Sequence, residues 1–506
     1  MKTLNKVANI FSDGMVLQRH QEVPVFGTGA DGTHIRVKFA EKEYTTIVKN
    51  GNWCVWMDPQ EGGIRSDLII TYGSEQEVIH SVQIGDVYLL AGQSNIEFKL
   101  SEDRDFCQEK ESMNNMDVYY YNVPKIIYED EQAQVPREIQ KNKWEKLSSE
   151  NCGDVSAVGF YFVKQLVSYM NYVPIGLVSM NKGGTSASCW QSIDALKSDF
   201  EVYATYVLPH KEAVKDQTDE EEERLLQQFE EKVEKYLQTR KEFVRTHPQL
   251  SIAEVKEIIG HTPWPPPKTR KGLLRPAGLF ETMLKKIIPF SIRGIIWYQG
   301  EEDAQYHQVY DKLLYNLIKE WRKLFYQEQL PFYVIQLPAY DEAEKDTWAF
   351  LREQQRMVTS KEPFSFFITT FDTGEAHAIH PASKNIIGTR AANLVLSHSY
   401  KKDEKGYAPE MKTIEVNDHE VIITYKYVKT WSVKGKPVCT LVDTKGNKVE
   451  RRINVANNQQ LRINIEESTS YISYCFENFP HPTIFNEEHL PIPAFKMNIR
   501  EQCRST

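Results

Sequence analysis

The chain contains no long apolar run. Over its 506 residues nothing approaches the ~20 apolar residues of a membrane span. The opening MKTLNKVANIFSDG lacks the ~7–15-residue apolar stretch of a secretory signal. A surplus of positive charge is also missing. With 61 Lys+Arg against 70 Asp+Glu the net charge is -9, so no overall field exists to hold nucleic acid or an anionic membrane, and only a small local basic pocket remains open. The seven cysteines (Cys54, Cys107, Cys152, Cys189, Cys439, Cys475 and Cys503) are odd in number and show no CxxC spacing, which argues against both a disulfide framework and a zinc site. These absences together predict a cytoplasmic protein in a reducing compartment, with neither nucleic acid nor membrane as a partner.

What is present fits a folded protein of several domains: 41% apolar residues, 11% aromatic and 26% charged. Residues 1–80 alternate in short runs such as HIRVKFAEKEYTTIV, broken by the turn clusters GTGADGT, KNGN and QEGG, a β-sandwich-like pattern. From 81 to 398 continuous apolar runs (GDVYLLAG, VPIGLVSMN, IRGIIWYQG, FYVIQLP, FFITTFD) alternate with amphipathic stretches, which predicts a largely parallel sheet covered by helices on both faces. A helical interruption at about 199–269 carries Leu226, Phe229, Val233 and Leu237 at three- and four-residue steps and returns through HTPWPPPKTR, a stiff proline-rich arm. Alternation resumes over 399–506 as a second β-rich region. The aromatics Trp53, Trp56 and Tyr425 are expected to fill β cores rather than bind sugar.

Four blocks sit at the ends of the predicted strands, where open parallel sheets bind ligands. The first is Gly92-Gln93-Ser94-Asn95, which is not a G-x-S-x-G elbow because Ile96 occupies the fifth position. Taken alone, Ser94 reads first as a cap for the next helix. The second is Lys182-Gly183-Gly184-Thr185, whose glycines let backbone N–H groups approach a ligand; it lacks the spacing of a phosphate loop. In the third, Trp297-Tyr298-Gln299-Gly300-Glu301-Glu302, a side-chain amide and two carboxylates follow an apolar run. Neighbouring residues at a strand end diverge, so Glu301 and Glu302 make a poor glycosidase pair. The fourth runs from Asp372 through Glu375 and His377 to His380-Pro381. Its H-x-x-H spacing has no further Cys or His cluster to complete a metal site.

In their order these blocks resemble the sialate O-acetylesterases of the SGNH-hydrolase superfamily. The resemblance extends to IFSDGMVLQR, LLRPAGLFETMLKKIIPFSIRGIIWYQGEEDA and FNEEHLPIPAF, and so spans nearly the whole chain apart from the helical interruption. It implies a flavodoxin-like three-layer αβα domain that hydrolyses acetyl esters on sugars with neither metal nor organic cofactor. By matching position, Ser94 would be the nucleophile and His380 the general base. The oxyanion hole would comprise the Ser94 N–H, an N–H at Gly183 or Gly184, and the Gln299 amide.

One departure from the superfamily pattern matters. Where many members place an aspartate two or three residues before the histidine, this chain has Ala378 and His377. His380 is then oriented by another group, with Asp372, Glu375 and Glu301 as candidates, or it works with Ser94 as a dyad. The expected substrate is O-acetylated sialic acid, whose carboxylate would favour a cation such as Arg275 or Lys182. Acetylated xylan or mannan fragments are the alternative, and a noncatalytic sugar-binding protein or a glycosidase using Glu301 are more distant ones.

Overall fold

A computed structural model describes residues 5–128, 142–170, 173–250, 252–456 and 459–499. It divides into two compact units. The first comprises 1–159, 170–302 and 312–332, and the second 160–169, 303–311 and 333–506.

In the first unit, the alternating run near the N-terminus forms β1 (His34–Phe39), whose even positions face solvent and whose odd positions are buried. It pairs antiparallel with β2 (Arg65–Tyr72), and β2 pairs with β3 (Glu75–Gly92). The expected domain boundary after residue 80 falls inside β3. The strand carries a bulge there, with Ser81 at φ 57° and its N–H donated to Asp67, but it continues for 18 residues. From Val82 onward every residue of β3 is buried, as a strand covered on both faces requires. Trp53 is buried in the N-terminal region as expected, whereas Trp56 is 39% exposed. The strand Asn52–Met57 alternates, so Trp53 and Trp56 point to opposite faces.

The central strands β4 (Val118–Asn122), β5 (Ile175–Asn181) and β6 (Gly294–Tyr298) complete the parallel part of this unit in the order β4-β5-β3-β6. The chain leaves β3 to build on one side of it and later returns to build on the other. Connections therefore diverge at the carboxyl end of β3, the place where open α/β sheets bind their ligands. At the base of β3, Asp86 is fully buried. It is held by a bidentate pair to Arg19 (3.0 and 2.8 Å), by Arg293 (3.0 Å) and by Gln18 (3.2 Å), which satisfies a charge that would otherwise be costly to bury.

The interruption is helical. Helix α1 (Asp219–Thr246) opens with Thr218 accepting from the Glu221 N–H and with four acidic residues in its first turn, where the helix dipole favours them. A shorter helix, α2 (Ile252–Ile259), follows, and the Tyr236 hydroxyl donates to the carbonyl of Gly260 just beyond it. The returning arm is tied back to the start of α1: buried Glu222 accepts from the Lys271 N–H (2.6 Å) and from Arg270 (3.2 Å).

The second unit contains all but the first residue of strand β7 (Phe332–Ile335), its neighbour β8 (Ser365–Ile368) and the helices α3 (Thr347–Lys361) and α4 (Asn385–Ser399). It also holds a seven-stranded sheet running from Glu410 to Asn498, with Tyr425 fully buried in its core. Asn478 of that region accepts from the Trp348 N–H and donates to the carbonyls of Ala343 and Glu344, gripping the start of α3. No helix among the described residues is long and apolar enough to cross a membrane.

Candidate active site

Strand register places three of the four blocks side by side. Gly92, the last residue of β3, lies opposite Asn181 of β5 on one side and Tyr298 of β6 on the other. The segments that follow, Gln93-Ser94, Lys182-Gly183-Gly184 and Gln299-Gly300-Glu301, therefore leave the sheet at one end. Gly92 itself has φ 137°, and a Cβ there would lie 2.1 Å from the Tyr298 carbonyl oxygen, so only glycine lets the strand end this close to its neighbour.

Ser94 opens a short helix, Ser94–Glu97, as its first residue. It is not the cap: Gln93 holds that position and makes no side-chain capping bond. Ser94 is half-buried, whereas its neighbours Gln93 and Asn95 are buried. A Cβ added to Gly183 would lie 3.4 Å from Ser94 Cβ, so the glycine loop passes directly against the serine.

Buried amides lock the three segments. Gln93 Oε1 accepts from Gln299 Nε2 (3.2 Å) and from the N–H groups of Gly300 and Glu302 (both 3.4 Å). Gln299 also donates to the Thr185 carbonyl (3.1 Å), so both of its amide hydrogens are engaged. Asn95 donates to Glu301 at 2.5 Å, both side chains being buried, which links the serine block to the third block. Burial, with the Glu301 charge added, pushes the Tyr298 phenol well above its ordinary value and keeps it neutral. The two candidate oxyanion glycines differ. The Gly183 N–H donates to the Glu97 carboxylate, which also pairs with Lys125. Gly184 is therefore the glycine of this loop available as an N–H donor.

The fourth block belongs to the second unit. His380 lies half-buried on the turn after β8. Glu375 accepts from the Ala382 N–H at 3.1 Å, and its backbone bridges to Ala378, so this residue clamps both ends of the turn that bears the histidine. Asp372 forms a bidentate pair with Arg390 (2.6 and 2.7 Å). His377 is exposed and pairs with Glu342 at 3.3 Å. Among the described residues, no group of three or more His, Cys, Asp and Glu side chains is placed to hold a metal.

Of the two candidate cations, Arg275 donates to the carbonyls of Ile127, Lys271, Gly272 and Gly278 and acts as a backbone clamp. Lys182 lines a cleft of about 990 Å³ beside the glycine loop. Sequence reasoning missed Gln93, Glu97 and Lys125. Gln93 stands within the serine block and Glu97 just after it, but the partners of Gln93 are 206 to 209 positions away and those of Glu97 are 28 and 86 away, contacts that no local pattern marks.

Residues 84–255 and 270–397 match the model of the family described as carbohydrate esterase, sialic acid-specific acetylesterase. Among curated proteins, the sialate O-acetylesterase of Mus musculus is 24% identical, over 76% of this chain and 72% of its own. That of Homo sapiens is 21% identical, over 98% and 93%. The crystal structure of a carbohydrate acetylesterase from Xanthomonas citri shares the fold with a TM-score of 0.75 at 21% identity, covering 98% of this chain and 100% of its own.

Proposed function

The chain belongs to the sialic acid-specific acetylesterase family of carbohydrate esterases, and on that premise we propose that it is a serine esterase removing O-acetyl groups from sialic acid through Ser94 and His380. The observation that carries this reading is the seat of Ser94: half-buried at the end of the central strand, against a glycine loop, on a scaffold fixed by buried hydrogen bonds. The names of the mouse and human relatives support the substrate. In this reading the parallel sheet belongs to a three-layer SGNH domain.

His380 takes the Ser94 proton as Oγ attacks the acetyl carbonyl. The carbonyl oxygen, now negative, is met by the N–H groups of Ser94 and Gly184. When the tetrahedral intermediate collapses, the bond to the sugar oxygen breaks, and His380 returns the proton to that oxygen. Water then attacks the acetyl-serine, giving a proton to His380; the bond between the acyl carbon and Ser94 Oγ breaks, His380 returns the proton to Oγ, and acetate leaves. Gln299, its amide hydrogens committed to Gln93 and Thr185, is a positioning residue that holds the serine and glycine loops together. Glu375 positions the histidine turn. The six described cysteines are all unbridged, which supports a reducing, cytoplasmic location.

The test is acetate release from O-acetylated sialic acid and from acetylated xylo-oligosaccharide, by the wild type and by Ser94→Ala. Faster release from the sialate, abolished in Ser94→Ala, is expected. Preference for the xylo-oligosaccharide would reassign the substrate to plant glycans, and undiminished turnover by Ser94→Ala would remove the serine mechanism.

A further inference from the structure

The helical interruption has so far no part in the reaction, yet its return arm reaches the reacting loop. Gly184 has φ 70°, and a Cβ there would lie 2.2, 2.5 and 2.9 Å from three ring carbons of Trp264. The indole therefore rests directly on the Gly184 backbone, in space that any side chain at that position would fill. Gly183, one residue earlier, passes against Ser94. Trp264 thus stands one loop away from the serine, and it is still 47% exposed. Half of the indole surface beside this loop is thus open to contact with a ligand.

The arm holds the ring in place. Pro265, Pro266 and Pro267 follow Trp264 directly, and the arm is tied to α1 through Glu222, Arg270 and Lys271. A preset ring loses little conformational freedom when a ligand docks on it. Pro266 and Lys182 both line the cleft of about 990 Å³, whose far wall is the α1 stripe of Leu226, Phe229 and Val233. The tryptophan thus lies where the serine loop meets a cleft large enough for the rest of a substrate. The stretch 256–269, which carries Trp264, falls between the two segments matched by the family model.

We propose that Trp264 is the sugar-stacking platform of this site: its free face takes the C–H face of the acetylated pyranose and sets the ester over Ser94. The chemistry follows from the indole's negative π face, which attracts the weakly positive C–H hydrogens of a pyranose as it attracts the edge of another ring. The proposal rests on the esterase reading given above, and it assigns a task to the interruption: it selects sugar esters over simple ones.

Two measurements test it. The first compares kcat/KM for 9-O-acetyl-N-acetylneuraminic acid with kcat/KM for ethyl acetate, which has no ring to stack, in the wild type, Trp264→Ala and Trp264→Phe. Removing a stacking contact of this kind is expected to lower the sugar-to-ethyl ratio about tenfold or more in Trp264→Ala. Trp264→Phe, which keeps an aromatic face, should recover most of it. A ratio that stays within twofold of wild type overturns the proposal. The second is calorimetric binding of the same acetylated sugar, and of acetylated xylobiose, to Ser94→Ala with and without Trp264→Ala. At least tenfold weaker binding of one sugar on loss of the indole is expected. Equal binding, or no binding of either sugar to Ser94→Ala, overturns the platform. Because this second measurement needs no turnover, failure of the esterase chemistry and failure of the platform give different results.

Discussion

Around Ser94 the holding groups are chiefly buried amides at the sheet end, joined by two carboxylates: Gln93 accepts from three donors, Gln299 bridges two loops, Asn95 donates to Glu301, and Glu97 holds the Gly183 N–H. Around His380 they are carboxylates on a half-buried turn, where Glu375 clamps the backbone and Asp372 is committed to Arg390. The two settings suit different tasks. Buried, fully engaged amides make a rigid cradle, which a developing oxyanion requires, because donors that must reorganise stabilise it less. In the proposed mechanism the base accepts and releases a proton twice per turnover, and a turn tethered at its ends leaves the imidazole on a less rigid support.

The largest effect should come from removing the reacting groups themselves. Ser94→Ala and His380→Ala are each expected to lower kcat by roughly 1000-fold or more, with Tm little changed. Activity retained by His380→Ala would break the comparison, since the second setting would then have no chemical task.

Next in size is Gln93→Ala. It leaves the buried donors of Gln299, Gly300 and Glu302 without their acceptor and should cost about 2–3 kcal/mol in denaturant unfolding. A fall in kcat should accompany it, since the cradle loosens. A neutral result in both would show that the amides are not what holds the serine side.

The histidine side is sharpened by Asp372→Ala and Glu375→Ala, made separately. Asp372→Ala strands the largely buried Arg390 and is expected to lower stability by about 2–4 kcal/mol, with kcat reduced less than ~10-fold. Glu375→Ala releases the turn, and about a tenfold fall in kcat with little change in KM is expected. A loss near that of His380→Ala in either variant, with folding intact, would make that carboxylate a third catalytic partner and end the dyad reading.

The smallest effect is set by pH. His210, whose Nε2 bonds to the Thr269 carbonyl at 3.1 Å, is pushed below the ordinary histidine value by burial. A base depressed in the folded state contributes stability that is present in full above the unfolded value of about 6.5 and is lost as pH falls through the folded one. Acidification from pH 7.5 to 5.5 should therefore lower Tm slightly in the wild type and less in His210→Gln. An identical drop in both would remove this histidine from the account.

Much of the scaffold is legible in the chain. The five apolar runs become the second half of β3 and strands β5, β6, β7 and β8; all but the partly buried β8 are buried at every residue, which leaves its mark throughout the strand. The stripe of Leu226, Phe229 and Val233 becomes one face of α1, because a 3.6-residue period has one dominant reading. Ser94, Gly183 and Gly184 were visible as strand-end residues, and register then brought them together. Less visible was the division of labour within that set. Whether Gly183 or Gly184 offers its N–H depends on Glu97, and the duty of Gln299 depends on Gln93 and Thr185, contacts that no local pattern encodes. The same holds for Trp264, whose place against Gly184 is settled by the path of the returning arm.

The unbroken run of β3 also has a consequence for how the protein can be cut. Its 18 residues span roughly 60 Å at ~3.3 Å per residue, so the beam that ends beside Ser94 begins among the front-end hairpins. Trimming the polypeptide back to residue 81 would sever that beam and strip the Arg19 counter-charge from Asp86. A minimal version shortened at its amino end should therefore lose solubility and turnover together, however complete its reacting groups.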